Sequence, residues 1–111
     1  MSLVVSLADL PAAIDTQIGW CYLLTVSDDA QPRVVAVAPT WNSDGALCVD
    51  VGKRTAANLL ARPDVSMVWP PAESHGYSLI ADGTATVEGL SVIFRPATAV
   101  LHRSAISEGT S

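Results

Sequence analysis

Alternation of apolar and polar residues is most regular between Tyr77 and Glu88. The odd positions of this run are apolar apart from Gly83, and the even positions are polar apart from Ile80. Because successive side chains of a strand point to opposite faces, the pattern predicts a strand with one buried face. Gly83 predicts a bulge or a tight bend within it, of the kind that a barrel needs at its corners.

Five further apolar runs predict strands, and turn-forming residues separate most of them. The runs are WCYLLTVSDD, RVVAVAPTW, ALCVDVG, DVSMVW and SVIFRPATAVLHRS. SDDAQP and NSDG predict tight connections between the first three of these runs. Pro96 cannot donate a backbone hydrogen bond, which restricts the last strand to an edge or a bulge.

Two short helices are predicted. One runs from Leu7 to Gln17, after a capping pair formed by Ser6 and Asp9. The other covers 55–61, with Thr55 as its cap and Pro63 as its stop. It connects the third and fourth strands, which favours a barrel with a helical plug over a sandwich. We therefore predict a mainly β fold, a small six-stranded antiparallel barrel in one domain spanning 1–111.

Composition excludes several classes of function. Half of the residues are apolar, 15% are charged and the net charge is −5, which argues against nucleic acid or anionic membranes as partners. Cys21 and Cys48 are too few for a disulfide framework and too far apart for a zinc or redox pair. The first residues, MSLVVSLADLPAAI, lack a basic leader, and no apolar run approaches a membrane span, so a cytoplasmic protein is expected. The low charge fraction fits either a monomer with a large core or a surface covered by a second copy.

A pair of positive charges stands out in this acidic chain. Lys53 and Arg54 directly precede the second predicted helix, whose N-terminus attracts anions through its free N–H groups and its dipole. With the Thr55 hydroxyl, after Gly52, they predict a phosphate site. Arg33 joins this site if the second and third strands pair as a hairpin. The alternative interpretation is that Lys53 and Arg54 are solvated loop charges.

Other side chains give weaker signals. Ser74 and His75 are adjacent in a loop without an evident orienting acid, and His102 lies in a strand without a second metal ligand at useful spacing. The tryptophans either stack on a flat ligand or pack the barrel ends. They are Trp20, Trp41 and Trp69. No metal site is predicted, and if the protein is an enzyme, a cofactor carries the chemistry.

The order of these elements resembles the pyridoxamine 5'-phosphate oxidase-like family of FMN-binding split barrels. The similarity rests on the hairpin GWCYLLTVSDDAQPRVVAVAPTW, the segment VGKRTAANLLARPDVSMVW and the alternating strand YSLIADGTATVEG. The closing PATAVLHRS looks like the last strand of small actinobacterial-type members. The resemblance covers a core of about 7–103, and it implies a split barrel.

The same resemblance implies a homodimer that holds FMN, or a deazaflavin, at the subunit interface. It implies that basic and hydroxyl side chains hold the flavin phosphate, namely Arg33, Lys53, Arg54 and Thr55. Residues lying along the isoalloxazine ring are then Val37, Ala38, Pro39 and Thr40, and Trp69 closes the pocket. The expected function is a flavin-dependent oxidoreductase that transfers hydride to or from a small substrate. A non-catalytic dimer that binds or stores a flavin or another phosphorylated molecule, or that has lost its cofactor, is the alternative.

Overall fold

The computed structural model describes residues 2–103 of the chain. This part of the chain forms eight strands and two helices. From the N-terminus onward they are β1 Ser2–Val5, α1 Leu10–Asp15, β2 Cys21–Val26, β3 Pro32–Val37, β4 Thr40–Trp41, β5 Leu47–Asp50, α2 Lys53–Ala61, β6 Asp64–Trp69, β7 Ser78–Glu88 and β8 Ser91–His102.

One antiparallel sheet contains all eight strands. Its order is β3-β2-β6-β7-β8-β5-β4, and β1 pairs with the last residues of β8. The first residues of β8 pair with β5 along the same edge. One edge of β8 therefore pairs with two short strands, β5 and β1, and its other edge pairs with β7. The sheet curls around a core into an open half-barrel. The predicted mainly β, antiparallel barrel fold is confirmed, with eight strands in 2–103 rather than six.

The two additional strands have different origins. β1 lies before the predicted core of 7–103 and pairs with β8 about a hundred positions later, for example Ser2 with His102. The predicted strand RVVAVAPTW is divided into β3 and β4 at Ala38 and Pro39. A proline has no N–H to donate to a neighbouring strand, which explains the break.

Both helices form where they were predicted, with different ends. α1 is shorter than 7–17; Asp9 occupies its cap position without a side-chain cap, and the Ser6 hydroxyl accepts a hydrogen bond from the Asp9 N–H at 3.2 Å. α2 begins at Lys53 with Gly52 as its cap, so the prediction that Thr55 caps it is wrong. None of the helices within 2–103 combines the length and the apolar character needed to cross a membrane.

The longest hairpin, β7–β8, contains the predicted bulge. The pairing shifts register between Asp82 and Gly83, and Gly83 stands opposite Pro96. A Cβ atom at Gly83 would lie 2.1 Å from the Arg95 carbonyl oxygen, so only glycine fits there. The buried face of this hairpin carries Leu79, Ala81, Ala85, Val92, Phe94 and Ala99. Cys21 and Cys48 are both free thiols.

Candidate functional site

Side chains of α2 and of its C-cap residue hold the helix against the end of β2. The Asn58 Nδ2 donates to the Thr25 Oγ1 at 3.1 Å, and the Arg62 Nε donates to the Val26 carbonyl oxygen at 2.6 Å. Arg62 also donates to the Asp28 carboxylate at 2.9 Å. Asn58 lies within α2, and Arg62 directly follows its last residue, so the two side chains contact successive positions of β2 from the helix and from its C-terminal end. The helix is therefore fixed beside the β2–β3 hairpin.

A cavity of about 500 Å³ opens between this hairpin and the first turns of α2. Its lining comes from the β2–β3 turn, from β3 and from one side of α2. The residues are Ser27, Asp28, Asp29, Arg33, Val34, Val35, Arg54, Thr55, Ala57 and Asn58. Three of the predicted phosphate-binding residues, Arg33, Arg54 and Thr55, thus share one cavity.

The route by which Arg33 reaches this cavity differs from the predicted one. β3 pairs with β2 along its whole length, and Arg33 stands opposite Thr25. The predicted hairpin between the second and third strands is limited to β4 and β5, where Thr40 pairs with Cys48. Arg33 therefore lies near the first turns of α2 because the helix packs beside β2. Pairing between β3 and β5 is not the cause, since these two strands are not neighbours in the sheet.

Four charged residues define the electrostatics of the cavity. Arg33 and Arg54 are exposed, and neither has an ion pair with another residue of 2–103. The Asp28 carboxylate is paired with Arg62, which lies outside the lining. A hydrogen bond from the Ser27 hydroxyl lowers the pKa of Asp29, and the charge of Arg33 lowers it further. The two arginines are thus available to an anion, although Asp29 lies near Arg33.

The first turn of α2 contributes Arg54 and Thr55 to the cavity lining. Lys53, Arg54 and Thr55 are its first three residues, and the first helical hydrogen bond runs from the Ala56 N–H to the Gly52 carbonyl oxygen. Backbone N–H groups before that bond have no acceptor within the helix, and they carry the positive end of its dipole. The start of α2 therefore combines free N–H groups with the Arg54 guanidinium and the Thr55 hydroxyl, and both of these residues line the cavity.

Other predicted site residues lie elsewhere. Lys53 is exposed and is not part of the cavity lining. Residues 37–40 continue from the end of β3 into β4, beyond the lining, and are half-buried or exposed. Trp69 is 2% exposed and belongs to the hydrophobic core. Within 2–103 no three His, Cys, Asp or Glu side chains are grouped so as to hold a metal ion.

The remaining candidates do not converge on the cavity. Ser74 and His75 lie in the exposed loop before β7. The His102 Nδ1 is 3.1 Å from the Ser2 Oγ at the exposed end of β8. Trp20 packs edge-on against Tyr22, with ring centroids 4.9 Å apart. These positions agree with structural roles.

Among the cavity residues that sequence reasoning missed, Asn58 is the buried polar one. Its side chain is buried although it is polar, and it lies on the buried face of α2 together with Thr55, Ala56 and Leu59. An asparagine among small and apolar positions of a helix, three residues after a threonine, is the signal that could have identified it.

Comparison with known proteins finds relatives in sequence and in structure. No family model matches the chain. Uncharacterized proteins of Mycobacterium bovis and Mycobacterium tuberculosis are each 40% identical over 75 residues, which is 60% of this chain and 53% of theirs. The chain therefore spans about half the length of the curated relatives it matches.

Solved structures match over most of the chain. The heme storage protein HutZ of Vibrio cholerae has a TM-score of 0.65 at 17% identity, covering 89% of this chain and 96% of its own. An FAD-binding protein of Mycobacterium smegmatis has a TM-score of 0.64 at 14% identity, covering 93% and 100%. An F420 reductase has a TM-score of 0.62 at 16% identity, covering 78% and 93%.

The chain has the split-barrel fold of pyridoxamine 5'-phosphate oxidase-like proteins. This confirms the fold expected from the resemblance. Sequence identities of 14–17% with these structures show a shared fold.

Proposed function

We propose that this split barrel binds a flavin, FMN or a deazaflavin, through its phosphate, and acts as an oxidoreductase on a small substrate. The observation that carries the proposal is the meeting of Arg33, Arg54 and Thr55 in one cavity at the start of α2. Proteins with the same fold include an FAD-binding protein and an F420 reductase, which supports a flavin as the ligand.

The residues present fit a phosphate monoester. Two guanidinium groups without ion pairs in 2–103 can each form charge-assisted hydrogen bonds with phosphate oxygens. The nearby negative charge of Asp28 is compensated by Arg62. A volume of about 500 Å³ lies within the usual range for cofactor pockets. The cavity therefore suits the phosphate and the adjoining chain of the cofactor.

A bound flavin would supply the hydride chemistry, while the protein supplies binding and orientation. In this proposal Arg33, Arg54 and Thr55 fix the phosphate, and 37–40 lie along the ring, because they follow the same strand away from the cavity. A second copy of the chain completes the pocket, as the resemblance implies. The expected location is the cytoplasm.

The decisive experiment measures how FMN and riboflavin bind to two variants, each of which lacks one of two adjacent positive charges. Arg54→Ala removes a charge from the cavity lining, whereas Lys53→Ala removes an equal charge one residue away and serves as the matched control. FMN and riboflavin differ only in the phosphate. A charged hydrogen bond to phosphate contributes about 1.5–3 kcal/mol, so Arg54→Ala should weaken FMN binding about 10- to 150-fold and riboflavin binding less than about twofold. Lys53→Ala should change both affinities by less than about threefold.

Fluorescence titration measures both affinities. Equal losses of FMN and riboflavin binding in Arg54→Ala, or a wild-type protein that binds FMN no better than riboflavin, would contradict the proposed phosphate site. Turnover of a reduced nicotinamide or deazaflavin by the loaded protein then separates the oxidoreductase from a protein that only binds or stores the flavin.

A further inference from the structure

Asn58 is a buried polar residue with unused hydrogen-bonding groups at the cavity. It is 9% exposed, and its single side-chain hydrogen bond within 2–103 runs from Nδ2 to the Thr25 Oγ1 at 3.1 Å. No side-chain oxygen or nitrogen in this part of the chain is both fully buried and without a partner. The Oδ1 of Asn58 has no hydrogen-bond partner in this part of the chain, so it is not fully buried, and Asn58 itself lines the cavity.

The position of Asn58 is defined by two neighbours of the proposed phosphate site. It follows Thr55 by three residues, which places it about 4.5 Å further along the helix axis on the same side. Thr25, its hydrogen-bond partner, stands opposite Arg33 in the β2–β3 pairing. The amide thus lies close to the phosphate site, and the bond to Thr25 holds it in place.

We infer that the Asn58 Oδ1 accepts a hydrogen bond from a hydroxyl of the ligand's polyol chain, next to the phosphate. This inference rests on the proposed function, since it takes the ligand to be a flavin with a ribityl chain. A carbonyl oxygen is an acceptor only, so it suits a hydroxyl and does not suit a phosphate oxygen. Asn58 thereby selects a hydroxylated phosphate ester over a simple anion.

Two variants and three ligands test this assignment by fluorescence titration. Asn58→Leu removes the acceptor at similar volume, and one hydrogen bond corresponds to roughly a 2- to 12-fold change in affinity. We expect FMN and riboflavin to weaken by the same factor in this range. Lumiflavin, which has the ring without the ribityl chain, should bind Asn58→Leu as it binds the wild type.

Asn58→Asp keeps an acceptor oxygen and adds a negative charge. Riboflavin should bind this variant within about twofold of the wild type, whereas FMN should bind more than about tenfold more weakly, because the new carboxylate repels the phosphate. The two variants therefore separate the hydroxyl contact from the phosphate contact.

Three results would overturn the inference. A loss in Asn58→Leu confined to FMN would assign Asn58 to the phosphate, and an equal loss for lumiflavin would indicate a distorted cavity without a ribityl contact. Unchanged FMN and riboflavin binding in Asn58→Leu would remove Asn58 from the site. In each of these cases the affinities of Arg54→Ala for FMN and riboflavin still test the proposed function independently. A wild-type protein that binds no flavin would contradict both proposals.

Discussion

The guanidinium of Arg62 lies 2.9 Å from the Asp28 carboxylate and connects the last turns of α2 to the β2–β3 turn. The same side chain donates from Nε to the carbonyl oxygen of Val26 at the end of β2. Solvent screens the ion pair, because the Asp28 side chain is 94% exposed. The backbone contact is therefore the stronger candidate for holding the helix.

Removing Arg62 should destabilise the protein more than removing the charge of Asp28. We expect Arg62→Ala to lower the free energy of unfolding by about 1 kcal/mol, since a partly exposed charged hydrogen bond to a carbonyl is lost. The control Asp28→Asn keeps the Val26 contact and should cost less than about 0.5 kcal/mol. Urea unfolding measures both values. An equal cost for the two variants would show that the ion pair, and not the Val26 contact, holds α2.

Local patterns in the sequence predicted those strands whose own residues alternate or contain glycine or proline at informative positions. β7 was visible from its alternation, and the bulge was visible from Gly83 and Pro96, because glycine and proline restrict a strand in known ways. β1 was not predicted: SLVV is short, and it becomes a strand only by pairing with the end of β8. Pairing between distant segments leaves little trace in a local window.

The candidate site was predicted in part, and for a partly wrong reason. The helix start and its basic pair were evident in the sequence, yet Arg33 was placed near them through a hairpin that is limited to β4 and β5. The actual cause is the packing of α2 along β2, through Asn58 and Arg62. Such side-chain contacts between a helix and a strand depend on three-dimensional packing, which residue spacing alone does not reveal.

Gly83→Ala should prevent stable folding of the β7–β8 hairpin. The added Cβ would meet the Arg95 carbonyl oxygen at 2.1 Å, and backbone atoms on both strands would have to move. We expect a loss of about 3 kcal/mol or more, as for severe overpacking. Gly19→Ala is the matched control, because nothing lies within 4 Å of a Cβ atom at that position. Thermal unfolding compares them, and similar melting temperatures would exclude the tight approach at Gly83.

Burial of Cys21 should make the protein less stable at alkaline pH. Burial raises the pKa of the Cys21 thiol from 9.0 to about 12, so the folded state keeps a proton that the unfolded state releases above about pH 9. The contribution of this thiol to stability is complete below pH 9 and is lost as the pH rises towards 12. The slope approaches about 1.4 kcal/mol per pH unit.

Cys21→Ala isolates this effect from other titrating groups. The difference in unfolding free energy between wild type and Cys21→Ala should be constant below about pH 8.5 and should shrink between about pH 9 and 11, as measured by urea unfolding. Because the folded protein protects Cys21, a thiol reagent at about pH 8 should modify it only after unfolding. A pH-independent difference between the two proteins would show that the thiol is not buried in solution.

Asp29 should weaken anion binding in the cavity, because its negative charge lies near Arg33. The Ser27 hydroxyl and Arg33 lower the pKa of Asp29, so the carboxylate is ionised at neutral pH. Asp29→Asn should strengthen FMN binding about two- to threefold at low ionic strength and leave riboflavin binding unchanged, since Asp29 is exposed and solvent screens it. At about 0.5 M salt the gain should disappear, because the Debye length then falls to roughly 4 Å. A gain for both ligands, or one that persists in salt, would mean that Asp29 acts by shaping the hairpin turn and not by its charge.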